Sequence, residues 1–154
     1  MITKTAHKMS AAGIARIAEV PLGPGARRIL DEAFARDVVQ RYLDGLAASD
    51  WDAVAASLAP DAERVGPYHD LVSGGEQYAE FLRSTIGALS GYVLVVAGMI
   101  ADGTRVAVQL SETVDDGDAR LRTDETVVFD VAGGLISRVA VYLQTSERRG
   151  PEPA

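Results

Sequence analysis

Apolar residues change their spacing once along this chain, at Tyr92. Upstream they recur at helical intervals, and downstream they alternate with polar residues. The alternating runs cover residues 92–100, 104–114, 119–131 and 135–144. Asp102-Gly103, Asp116-Gly117 and Gly133-Gly134 separate them. Such dipeptides supply the positive φ that a two-residue hairpin requires. The second half therefore predicts an antiparallel meander of four strands.

The first half predicts three helices. Leu30, Phe34, Val38, Tyr42 and Leu46 recur every four residues and give one apolar face to a helix over 31–48. Ser49 or Asp50 caps a second helix over 51–58, which Pro60 ends. Residues 61–65 read as a short strand and 66–70 as a loop. Ser73, at capping-box spacing from Glu76, opens a third helix whose apolar face is Tyr78, Phe81, Leu82, Ile86 and Leu89. Gly91 closes it. Helices followed by antiparallel strands make an α+β fold, with the helices packed on one face of a curved sheet.

A chain of 154 residues suits one domain. Residues 1–25 read as an arm, with a short helix at 11–20 that Pro21-Leu22-Gly23-Pro24-Gly25 breaks. The domain then spans 26–146, and 147–154 form a tail. The chain has no cysteine, which excludes disulfides, thiol nucleophiles and thiolate-bound metals. His7 and His69 are too few for a multi-histidine metal site. A net charge of −7 argues against nucleic acid and anionic membranes as partners. No segment reads as a signal peptide or a membrane span, so the expected location is cytoplasmic. Nucleophile-elbow and phosphate-loop motifs are absent, and no cofactor is implied.

Parity identifies two acids that face the apolar side of their strands. Glu125 shares its side with Val127 and Phe129, and a one-residue slip would turn Asp124 inward instead. Glu112 shares its side with Val106, Val108 and Leu110. Across the intervening turn it lies near residues 123–125, where it either pairs with Glu125 or bridges to Arg120 or Arg122. Gln109, Ser111 and Thr113 take the opposite, outer face.

Several segments carry a resemblance. Val39-Gln40-Arg41-Tyr42-Leu43, Ser49-Asp50-Trp51-Asp52, Leu58-Ala59-Pro60-Asp61-Ala62, Ser73-Gly74-Gly75-Glu76 and Gly133-Gly134-Leu135-Ile136 together resemble the nuclear transport factor 2-like superfamily over residues 35–145. That resemblance implies a cone-shaped barrel, with a curved, mainly antiparallel sheet and three N-terminal helices on its concave face. It also implies a pocket for a small apolar molecule and a homodimer formed through the outer sheet face. Its members include ketosteroid isomerases, SnoaL-like cyclases, limonene epoxide hydrolases, scytalone dehydratases and binders without chemistry.

Ketosteroid isomerase is the most detailed resemblance. It implies Tyr42 as the oxyanion tyrosine and Glu125 as a second, protonated donor. The usual catalytic aspartate falls on Gly66, so His69 and Asp70 of the same loop become candidate substitutes, with Glu112 a further acid. Tyr142 takes a pocket-facing place, and Trp51, Tyr68, Tyr78 and Tyr92 are candidate walls. The acid–arginine–acid set of the epoxide hydrolases is matched only at Asp115, with Thr113 where arginine is needed. The expected function is a cofactor-independent enzyme such as an isomerase, cyclase or dehydratase. The alternative is a non-catalytic binding or interaction module of the same fold.

Overall fold

The structure is a computed structural model that describes residues 21–144. The expected helix at 11–20, most of the arm and the whole of the tail lie outside the described residues.

Helix α1 spans Pro24–Ala47 and starts seven residues before the helix expected at 31. Pro24 is its first residue rather than its barrier, because the first turn has no use for the missing N–H. The buried face is Ala35, Val38, Val39, Tyr42, Leu43 and Leu46, while Leu30 and Phe34 are exposed. A strict four-residue step advances about 40° past a full turn each time. The stripe from Leu30 to Leu46 thus winds off the buried face at its N-terminal end.

Helix α2, Trp51–Ala56, follows at once, and the Asp50 side chain accepts a hydrogen bond from the Ala53 amide at 3.1 Å. Strand β1, Leu58–Val65, begins earlier than expected and contains Pro60. Strand β2, Leu71–Ser73, pairs antiparallel with β1 through Glu63 and Ser73. Ser73 therefore serves a strand and caps nothing. Gly74, at φ 98°, turns the chain into helix α3, Gly75–Thr85, with no side-chain cap.

The meander forms as read. Strands β3 (Val93–Asp102), β4 (Arg105–Asp116), β5 (Ala119–Ala132) and β6 (Leu135–Leu143) pair in succession. At the last turn Gly133 and Gly134 both have positive φ, 58° and 80°. The sheet has six strands in the order β2-β1-β6-β5-β4-β3, and β1 runs parallel to β6. That parallel pairing brings the loop after β1 to the end of the meander.

The helices cover the concave face. Val106, Val108, Leu110, Val127, Phe129, Ile136 and Val139 meet Val38, Val39, Tyr42, Leu43, Tyr78 and Leu82 in one core. Among the described residues no helix is long and apolar enough to cross a membrane.

Candidate functional site

Between helices and sheet lies a cavity of about 80 Å³. Tyr42 and Leu46 line it from α1, Tyr78 and Leu82 from α3, Arg64 from β1, Glu112 from β4, and Glu125 from β5. Each polar lining residue is placed by the period of its element. Tyr42 and Tyr78 sit on buried helix faces. Glu125 keeps the parity of Val127 and Phe129, which also line the cavity. Its ladder partner is Leu110, while Glu112 pairs with Thr123, so the two acids are diagonal neighbours on one face. The register is not slipped: Asp124 lies on the other side, bonded to Arg122.

The phenols of Tyr42 and Tyr78 are 2.7 Å apart and fully buried. Burial pushes the Tyr42 hydroxyl well above its ordinary value. Tyr78 is pushed up to about 12, again chiefly by burial. Both therefore keep their protons. One proton is spent between the two oxygens, and the other remains to be donated elsewhere. The Tyr42 ring also meets Phe129 edge-on, with centroids 5.5 Å apart, which fixes its position.

Tyr92 donates to Glu112 Oε1 at 2.6 Å. Burial raises the Glu112 carboxyl, and the Tyr92 hydrogen bond opposes that rise. Glu125 is pushed up to about 7, first by burial and then by the charge of Glu112. Arg64 draws both acids the other way. Its guanidinium lies 4.7 Å from the centre of the Phe81 ring and donates to Asp70 Oδ2 at 2.7 Å.

The structure thus gathers Tyr42, Glu112 and Glu125 around one cavity, with Tyr92 bonded to Glu112. The alternative bridges from Glu112 to Arg120 or Arg122 do not form: Arg120 pairs with Asp115 and Arg122 with Asp124. The other expected residues lie elsewhere. His69 is exposed at the tip of its loop, at φ 62°. Asp70 meets Arg64 rather than the cavity, and Tyr68 is 85% exposed. Trp51 packs beside the core from α2 but does not line the cavity. Tyr142 stands on the outer face, 59% exposed, opposite Thr126. Its parity is that of Ala140, whereas Val139 and Val141 point inward.

One site residue, Arg64, escaped the sequence reading. It shares parity with the fully buried Ala62, which marks it as inward-facing. Tyr78, expected as a wall, does line the cavity, and its hydroxyl finds the partner that a buried phenol needs in Tyr42. Among the described residues no His, Asp or Glu cluster could hold a metal ion.

A family model described as a SnoaL-like domain matches residues 39–139. The chain belongs to that family. Among solved structures, one similar protein is an LEH-like epoxide hydrolase of M. tuberculosis, 25% identical with TM-score 0.66, where the match covers 73% of this chain and 84% of that one. A candidate ketosteroid isomerase from Kribbella flavida DSM 17836 is 28% identical with TM-score 0.66, over 79% of this chain and 86% of that one. A candidate polyketide cyclase from Xanthomonas campestris pv. campestris is 25% identical with TM-score 0.63, over 73% and 91% of the two chains. No curated protein matches. This SnoaL-like chain thus shares its nuclear transport factor 2-like fold with proteins named for three different reactions.

Proposed function

We propose that this SnoaL-like protein is a cofactor-independent isomerase that moves a proton on a small, neutral carbonyl compound. One observation carries the reading. A phenol pair with a free proton lines the helix side of a cavity whose sheet side holds two carboxyls. Glu112, in its ionised form, takes a proton from the carbon beside the carbonyl. The C–H electron pair becomes the enolate double bond, and the carbonyl oxygen gains the charge. The Tyr42–Tyr78 pair and protonated Glu125 donate to that oxygen. Glu112 then returns its proton at a conjugated carbon. A carboxyl near 7 is half-protonated at neutral pH, as such a donor requires.

The cavity limits the substrate. At about 80 Å³ it is far smaller than the roughly 300–1,000 Å³ of pockets for drug-sized ligands. It admits the reacting end of a molecule, and Val141 also borders a larger recess of about 490 Å³ with Pro67, Tyr68 and Leu143. In this reading the remainder of the substrate lies there.

A second reading rests on Arg64, which lines the cavity beside both acids. An acid–arginine–acid set holds and deprotonates a water that opens an epoxide, in keeping with the similar LEH-like hydrolase. Small conjugated enones and small epoxides, assayed side by side, separate the two. Under the first reading enones isomerise, and Tyr42→Phe lowers kcat/KM about 100-fold. Glu112→Gln abolishes turnover. Turnover of epoxides alone favours the second. No turnover of either class, or turnover indifferent to all substitutions at Tyr42, Glu112 and Glu125, overturns both and leaves a binding module.

We also propose a homodimer through the outer sheet face, where Val95 and Tyr142 border a recess of about 540 Å³.

A further inference from the structure

Gly66 and Asp70 occupy one another's space. A Cβ at residue 66 would collide with the Asp70 carboxyl, so that carboxyl fills the volume a side chain at 66 would take. The loop is built to put it there. The Gly66 amide donates to the Asp70 carbonyl at 2.8 Å, and the His69 amide donates to the Gly66 carbonyl at 3.1 Å. His69, at φ 62°, makes the reversal. From this seat Asp70 accepts from Arg64 at 2.7 Å. The Arg64 side chain is only 12% exposed, and Phe81 covers one face of its guanidinium.

We propose that Asp70 is a positioning residue: it draws the Arg64 guanidinium to the loop side of the cavity wall and so keeps it from turning onto Glu112 and Glu125. This rests on reading Glu112 and Glu125 as the acid–base pair of the site. The groups around them are Arg64 from β1, Tyr42 from α1, Tyr78 from α3 and Tyr92 ahead of β3. Arg64 is the one cation among these lining residues. An unopposed guanidinium beside two carboxyls would favour their ionised forms. The Asp70 carboxylate draws that guanidinium toward the loop, and Gly66 is the residue that makes room for the carboxylate. The residue at 66 is therefore no mere loss of a base. It admits a counter-ion.

The test reads the carboxyls directly and needs no substrate, so it stands or falls apart from the proposed reaction. Glutamate side chains labelled with 13C are titrated by NMR in the full chain. Asp70→Asn should lower the midpoint of the Glu112–Glu125 pair by about half a pH unit or more. Gly66→Ala, which pushes the Asp70 carboxyl off its seat without changing any charge, should shift it the same way. Arg64→Gln should raise it. In the Arg64→Gln background Asp70→Asn should then have little effect, because Asp70 acts through Arg64. Should Asp70→Asn fail to fold, Asp70→Ser reads the same quantity. An unchanged or raised midpoint in the Asp70 variant overturns the proposal. So does an equal fall with Arg64 absent, which would mean that Asp70 acts directly on the pair.

Discussion

Glu125 sits where a carboxyl gains least from being charged. Burial and the neighbouring Glu112 push it up to about 7, from an ordinary value of 4.5. Between those two values the folded chain holds a proton that the unfolded chain has released. Its contribution to stability is fully present below about 4.5 and is lost as pH rises through about 7. We expect a loss of about 1–2 kcal/mol, a figure reduced for the partial exposure of the group. Glu125→Gln should flatten this fall and raise Tm at about pH 8, where wild type carries the buried charge. Thermal melts of both proteins between about pH 5 and 8 check it, and parallel curves would contradict it. Period put Tyr42, Glu112 and Glu125 on the apolar faces of their elements, and the register of β4 against β5 decides for Glu125 over Asp124. Period did not locate the Arg64–Asp70 pair. A charged residue in a short strand reads as solvated, and only the fold shows that a tight loop returns Asp70 over Gly66.

At the scale of elements, local chemistry was legible where it was self-contained. Each hairpin closes on the glycine that the sequence offers, and Asp50 caps α2 through its own side chain. Gly133 isolates the backbone contribution, since a Cβ there would touch nothing and only its φ of 58° resists one. Gly133→Ala should therefore cost about 1–2 kcal/mol, read as a lower denaturation midpoint with unchanged slope. A neutral result would mean that the turn relaxes. Elements that depend on distant partners were not legible. Ser73 has the spacing of a capping box, yet Glu63 claims it as a strand partner. Pro24 resembles a breaker, yet it starts α1. In both cases the residue type permits two roles, and tertiary contacts choose.

The whole molecule adds what no local signal carries, the parallel pairing of β1 with β6 across some seventy residues. It places the loop after β1, with Gly66 and Asp70, at the open end of the sheet. It also leaves the convex face without helices. Val93, Val95, Ile100 and Tyr142 are 45%, 55%, 74% and 59% exposed. By ladder parity Val93, Val95 and Tyr142 share the outer face with Gln109, Ser111 and Thr113. Apolar residues grouped on one sheet face favour a partner with the same surface, and a two-fold axis lets one patch serve both copies. Sedimentation equilibrium should give twice the chain mass. Val95→Asp, which places a charge in the middle of that face, should weaken association at least tenfold and leave the cavity's carboxyl titration unchanged. Ile29→Asp, on the exposed side of α1, should leave the mass as in wild type. A monomeric wild type, or a dimer indifferent to Val95→Asp, would remove the sheet face as the interface.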